Sequence, residues 1–352
     1  MKAKSSMPLM LLAAAISSTV MAQGEASGQQ PEQGSEKLEE LVVTGSLSKR
    51  SALKSDVPIM ETARSVSIET LQQMLDKGAL TLANTYTYTA GVIGETYGYA
   101  TRGDWVKVRG LDVPQYQDSL QSLFGNYNNT RPDIYTLEQV EILKGPASVL
   151  YGQGSPGGLV NIVSKRPQEE SSNEVVAEYG THDRTQISLD STGKVSGDGK
   201  WLYRFVGVYR DSETQVDYVD DDAVVLAPSI TWRPSEDTEL SLLVNYTETE
   251  GDTAAQFLPI SGTLTDAPNG QRIDNTVYLG ESEFNKYDAE TLAITLLVNH
   301  QINDIWSMEL TARHTDAEAD YQQAWPSFIG GERYVYNTDG SLYRDGMVPR
   351  SF

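Results

Sequence analysis

Residues able to make and break bonds are sparse in this 352-residue chain. There is no cysteine, so neither a disulfide framework nor a thiolate metal site is available. The three histidines, His182, His300 and His314, lack close ligand spacing, and no nucleophile is paired with a base in a recognisable pattern. Lys144-Gly145-Pro146 opens a stretch to Gly158 with five glycines and two prolines, but GK[ST] is missing, so it is not read as a phosphate-binding loop. These glycines describe tight turns and close backbone approach. The residues predict no enzyme and no metal site of the protein's own.

Composition narrows the classes further. Lys and Arg number 27 against 49 Asp and Glu, a formal charge of −22, which argues against a nucleic-acid-binding surface. The only continuous apolar run lies near the N-terminus, which excludes a bundle of transmembrane helices but leaves a transmembrane β-barrel open. Tyrosine at 19 against phenylalanine at 6 suits wet interfaces, where one end of the ring is hydrogen-bonded.

Lys2 and Lys4 precede the apolar stretch Met7 to Ile16, and Val20-Met21-Ala22 suits a cleavage motif, so residues 1–22 read as a secretory signal peptide. Residues 23–56 read as a disordered linker, because Gln23 to Lys37 has almost nothing to bury. Within it, Glu40-Leu41-Val42-Val43-Thr44 is a short β-prone run. It fits two roles: a strand added to another protein's sheet edge, or the first strand of the following domain.

A compact glycine-rich α+β domain is expected from about Val57 to Pro167. Ser67 is read as capping a helix that carries Ile68, Leu71 and Leu75 and ends at Gly78, and Thr81 as starting a second helix. Short strands are expected at Val106–Arg109, Val140–Leu143 and Leu159–Val163.

Beyond Ser171 the pattern becomes long alternating segments. Leu240, Leu242, Val244 and Tyr246 face one way, against Ser241, Leu243, Asn245 and Thr247. Leu292, Ile294, Leu296 and Val298 oppose Thr291, Thr295 and Asn299, while Trp306, Met308, Leu310 and Ala312 oppose Ser307, Glu309, Thr311 and Arg313. Such alternation fits a lipid-facing barrel and equally a soluble β-sandwich. Connection lengths fit the barrel arrangement without deciding it: Arg233–Asp237 and Asn303-Asp304 are short turns, whereas Gly251 to Asp288 is long. About seven strands are expected up to Asp320, with Trp201, Trp232 and Trp306 near their ends. Asp220-Asp221-Asp222 reads as a solvated acidic loop, or alternatively as a divalent-ion site bridging to anionic outer-leaflet lipid.

Several spaced motifs carry a family resemblance. Val57-Pro58 through Ala90-Gly91-Val92, then Val108-Arg109-Gly110, then Leu137 to Gly152, and Ser155-Pro156-Gly157-Gly158 to Ser164-Lys165-Arg166-Pro167 together resemble the plug domain of TonB-dependent outer-membrane receptors, closest to the ferric-siderophore branch. The resemblance implies residues 57–167 as plug, 172–352 as the N-terminal part of a transmembrane β-barrel, and Glu40, Leu41, Val42, Val43 and Thr44 as the TonB box. Leu41 stands where the family often has Thr, and Lys144-Gly145-Pro146 where it usually has Arg-Gly-Pro. The implied location is the outer membrane of a Gram-negative bacterium.

The implied function is uptake of a ferric siderophore, with TonB of the TonB-ExbB-ExbD complex and outer-membrane lipid as partners. Iron would enter only as the chelate, with no resident cofactor. Another cargo, such as cobalamin, heme or an oligosaccharide, is the alternative in the same class; a passive pore or surface adhesin is the alternative in a different one. The plug's outward loops would floor the ligand site through Tyr97, Tyr99, Arg102, Trp105, Tyr116, Tyr127 and Gln153, because arginine supplies charge and rings supply stacking. Arg109 and Lys144 would meet acidic residues on the barrel wall.

The arithmetic of closure gives a last expectation. A plugged transporter barrel has about 22 strands of about 9 to 11 residues each, roughly 200 to 240 residues before loops. Ser172 to Phe352 supplies 181 residues. The sequence thus predicts an incomplete barrel, a fragment or frameshifted product, with Trp325 to Phe352 as an unfinished loop.

Overall fold

The computed structural model describes Lys54 and residues 62–122, 129–152, 154–253, 258, 260, 262–266, 270, 272–326 and 347–351. The expected signal peptide and the run Glu40–Thr44 lie outside the described residues.

Two layers of different character follow one another in the chain. The first holds β1 (Ser65–Thr70), α1 (Leu71–Asp76), α2 (Leu82–Thr85), β2 (Val92–Gly94), β3 (Val106–Val108), β4 (Leu111–Asp112), β5 (Gln115–Gln117), β6 (Leu120–Gln121), β7 (Leu137–Lys144), α3 (Ser148–Tyr151) and β8 (Gly158–Ser164). Its main sheet runs β1-β7-β8-β5-β6, with β5 parallel to β8, and β2-β3-β4 form a second small sheet. Met74, Leu82, Tyr86, Val108, Leu137, Val140, Ile142 and Val160 fill the core between the helices and these sheets.

The first helix starts later than the sequence suggested. Ser67 and Ile68 lie in β1, which pairs antiparallel with β7, and Thr70 caps α1. Ser-Val-Ser-Ile alternates with period two, and Thr70 with Gln73 forms a reciprocal capping box, so the local signals place the boundary at Thr70. Gly78, with φ +67°, stands just past the end of α1 as expected. Thr81 caps α2, again with a capping box through Asn84. The loop of glycines contains the short α3 and closes at Gly158, where a Cβ would fall 1.9 Å from the Leu143 carbonyl oxygen. Only glycine permits that approach.

The second layer is an antiparallel meander of eight strands: β9 (Ser172–Tyr179), β10 (Thr185–Lys194), β11 (Trp201–Asp211), β12 (Asp221–Ser235), β13 (Thr238–Gly251), β14 (Lys286–Gln301), β15 (Ser307–Pro326) and β16 (Met347–Ser351). Seven strands precede residue 327, matching the count from alternation. The eighth is a correction: Met347–Ser351 pairs with β15 and is not loop. Its short, proline-containing sequence carries no clear period-two pattern, so pairing with a neighbour decides it.

Leu242, Ile294 and Leu296 are exposed on one face, while Ser241, Thr247, Thr291 and Thr295 are buried on the other, as the alternation required. The buried polar face is the one that meets the plug. Pro234 sits at the register irregularity between β12 and β13, where its missing N–H costs no ladder bond. Short connections 195–200, 236–237 and 302–306 share the end at which the chain enters β9, and the long connection 252–285 lies at the other. Trp201 and Trp232 are cross-strand partners at the short-turn end, stacked with centroids 5.5 Å apart.

Candidate ligand site and its contact with the barrel wall

The loop joining β2 to β3 turns sharply through Glu95 and Gly98, both with positive φ, and returns through Arg102 and Trp105. Tyr97 meets the Trp105 ring edge-on at 5.7 Å. The Arg102 guanidinium carbon lies 5.2 Å from the Trp105 ring centre and 4.9 Å from that of Tyr321 on β15. Tyr321 is the register partner of Tyr287 on β14, and their rings meet edge-on at 5.9 Å. Tyr287 in turn donates its hydroxyl to the Asn129 carbonyl at 2.8 Å, and Tyr321 donates to Gln323. Plug loop and barrel wall thereby share one aromatic cluster around a cation.

Beside this cluster is a cavity of about 420 Å³, lined among others by Tyr97, Arg102, Trp105, Gln115, Asn129 and Arg131. Tyr97 is half exposed there, at 54%, whereas Arg102 is buried at 5%. The arrangement offers rings for stacking, amides for hydrogen bonding and a guanidinium at the edge, groups that hold a ligand by non-covalent contact.

Asp104 ties this floor to the helices. Its Oδ1 accepts the Ala83 N–H of α2 at 3.0 Å, and its carbonyl accepts from Gln115 Nε2 at 2.5 Å. Burial raises its carboxyl pKa, and the nearby Arg131 opposes that only in part.

Of the expected ligand residues, Tyr97, Arg102 and Trp105 come together at the cavity. Tyr99 packs instead against Val216, Val219 and Tyr278 of the outer connections, and burial first, then Asp221, pushes its phenol up to about 12. Tyr116 is a plug core residue against Leu143, Leu159 and Tyr151, because on β5 it faces opposite to Gln115. Tyr127 and Gln153 lie outside the described residues.

Arg109 is exposed, and Lys144 donates to the Ala90 carbonyl at 2.6 Å. Burial and the neighbouring Arg109 hold the Lys144 pKa below the usual ammonium range. Among the described residues neither bonds to the wall.

The wall is met by residues that sequence reasoning passed over. Arg131 of the plug pairs with Asp221 of β12 at 2.5 Å, while Asp133 of the plug accepts from Arg210 of β11 at 2.8 Å. Arg210 also donates to the Asp221 carbonyl at 2.9 Å, closing a reciprocal buried quartet. Burial acts to lower the Arg131 pKa, but Asp221 and Asp104 outweigh it and hold the guanidinium charged. A second cluster joins Lys165 to Asp190 at 2.7 Å, with Arg204 bidentate on the same carboxylate at 2.8 and 2.7 Å. In a third, Arg313 of β15 reaches Asp118 at 2.7 Å and the Gln117 carbonyl at 3.1 Å. Tyr135 donates to Glu174 at 2.8 Å.

Asp221 therefore departs from the solvated acidic loop expected for 220–222: it is buried and carries two arginines, and Asp222 accepts the Ser212 N–H at 2.8 Å. The available signal was a charged residue at an inward position of an alternating strand, as at Arg204, Arg210 and Arg313. No group of three or more His, Asp or Glu among the described residues could hold a metal ion.

The family description "TonB-dependent Receptor Plug Domain" matches residues 58–159. Among curated proteins, the chain is 32% identical over 294 residues to the ferrioxamine receptor of Yersinia enterocolitica, covering 82% of this chain and 41% of that protein. It is 32% identical over 269 residues to the ferrichrome outer membrane transporter/phage receptor of Escherichia coli K12, covering 75% of this chain and 36% of that one. In fold it resembles the open form of the ferric-catecholate import receptor Fiu of E. coli K12, with a TM-score of 0.70 at 21% identity, over 80% of this chain and 42% of that one. The chain thus spans about two fifths of the length of these relatives. A matched plug, an antiparallel meander carrying it on a polar face, and this set of relatives agree: residues 58–159 match the plug domain of TonB-dependent receptors, and the chain is similar to outer-membrane receptors of that kind over about two fifths of their length.

Proposed function

We propose that the protein imports a ferric siderophore across the outer membrane, binding it at the end of the long connections and releasing it when TonB pulls on the N-terminal segment. The observation that carries this reading is the plug itself, held against the wall by buried ion pairs and topped by an arginine-aromatic cluster beside a cavity of about 420 Å³. A large chelate cannot diffuse through a filled lumen, so a plug implies an external source of work. Relatives named as ferrioxamine and ferrichrome receptors support a ferric chelate as cargo.

Glu40 to Thr44 would be the coupling strand, adding to a sheet edge of TonB through backbone hydrogen bonds. Val42→Pro removes one backbone donor and bends such a strand. In the full protein, expressed in its own outer membrane, uptake of radioactive iron as ferrichrome or ferrioxamine should fall at least tenfold while surface binding persists. Undiminished uptake with the substitution in place would remove the coupling assignment. A second cargo reading has one specific support: a relative 31% identical over 296 residues, covering 84% of this chain and 40% of that protein, is the metal-pseudopaline receptor CntO of Pseudomonas aeruginosa PAO1. Uptake of a non-ferric metal chelate in the same assay would favour it.

A further inference from the structure

The ligand site proposed above is braced by a residue from outside the plug. Arg102 is buried, yet its guanidinium stands over two rings: Trp105, three residues away on its own loop, and Tyr321, which is 219 positions away on β15 and itself buried at 1% exposure. A cation held over aromatic rings is anchored by them, and a guanidinium's coplanar N–H donors grip a pair of acceptor oxygens when it is so oriented. The Tyr321 ring is in turn held edge-on by Tyr287, while its hydroxyl bonds to Gln323 on the same strand. Tyr287 closes the circuit back to the plug through Asn129, which lines the same cavity as Arg102. The wall thus sets where the plug's cation points.

We propose that Tyr321 is the positioning residue of Arg102, so that the wall decides whether the plug presents its guanidinium edge to the oxygens of a chelate. This rests on the ligand-site reading above. Loss of the ring frees the guanidinium to turn, and the site loses one oriented donor pair without losing a ligand contact of its own. The ring, rather than the hydroxyl, carries the effect, because a cation over an aromatic face is attracted to the ring quadrupole.

The test measures equilibrium binding of ferrichrome, ferrioxamine B and a ferric tricatecholate to the full protein in outer membranes, taking whichever of the three binds most tightly as the probe. Arg102→Ala and Tyr321→Leu should each weaken the probe about tenfold, and the double variant no more than either alone. Tyr321→Phe should bind as the unsubstituted protein does. Hydrogen exchange of residues 97–105 without ligand should speed up in Tyr321→Leu and stay unchanged in Tyr321→Phe. If Arg102→Ala weakens binding while Tyr321→Leu does not, or if the two losses add, the positioning role is overturned and the site reading stands. If Arg102→Ala has no effect, or none of the three chelates binds, the site reading itself fails and this proposal fails with it. A loss in Tyr321→Phe equal to that in Tyr321→Leu would overturn the role of the ring.

Discussion

Inside the plug, β7 and β8 place Leu137, Val140, Ile142 and Val160 in contact with Met74, Leu82 and Tyr86 of the helical side. Where the plug meets the wall, the contacts are Arg131 with Asp221, Asp133 with Arg210, Lys165 and Arg204 with Asp190, and Asp118 with Arg313. The apolar core derives its stability from area removed from water and favours one packing. Buried ion pairs contribute less net stability than their number suggests, because desolvation offsets much of the Coulomb attraction. They do impose orientation, since each charge tolerates only its partner. A cohesive interior with a polar, exchangeable boundary suits the plug movement proposed above.

That contrast can be broken at its strongest point first. Asp221→Ala leaves Arg131 and Arg210 buried with one carboxylate fewer, at a cost of about 3–5 kcal/mol. Hydrogen exchange in residues 129–136 should rise sharply while β7 and β8 stay protected; equal loss of protection in both would mean that core and boundary are one cooperative unit. Ile142→Ala, wholly inside the core, should cost about 2–5 kcal/mol through lost transfer energy and a cavity. Here β7 and β8 should open more readily, and the contrast sharpens if the quartet at Arg131 keeps its protection.

The smallest effect belongs to Asp104, which sits between the two regions. Burial raises its folded-state pKa above the unfolded value, so its ionised form is disfavoured in the fold. Its contribution to stability therefore grows as pH falls through the folded pKa and is smaller above it. Asp104→Asn keeps an acceptor for the Ala83 N–H and removes the charge, so stability near α2 should be equal or higher at neutral pH and lose this pH dependence. Asp104→Ala should cost about 1 kcal/mol through the lost helix-terminal acceptor. Exchange of the Ala83 and Asn84 amides at neutral and acidic pH reads both outcomes. An Asn variant less stable than wild type at neutral pH would show that the carboxylate is held favourably by Arg131.

The strands of the meander were legible because period-two alternation is local: Leu240 to Tyr246 and Leu292 to Val298 each declare two faces without reference to a partner. The α2 start at Thr81 was legible for the same reason, since a capping residue acts on amides two or three positions away. The start of α1 was misplaced by three residues because Ser67 and Thr70 are both competent caps, and the pairing of β1 with β7 chose between them. Tyr97, Arg102 and Trp105 were grouped by residue type within one loop, and the fold brings all three to one cavity. Tyr116 was not separable from them by type, and only the direction of its side chain on β5 sends it into the core.

The amino-acid sequence was enough for the order of a compact domain and alternating strands and for the polarity of each strand face, both of which depend on short-range spacing; the family came from the resemblance of the motifs between Val57 and Pro167. The tertiary structure alone decided which charge meets which. Arg131 and Asp221 are 90 positions apart, and Arg313 and Asp118 are 195. Nothing in either neighbourhood names the partner, because an ion pair forms wherever the fold brings two charges within reach and excludes water from both. The same holds for Tyr321: a tyrosine in an alternating strand becomes the seat of a plug arginine only when β15 stands beside the loop from β2 to β3.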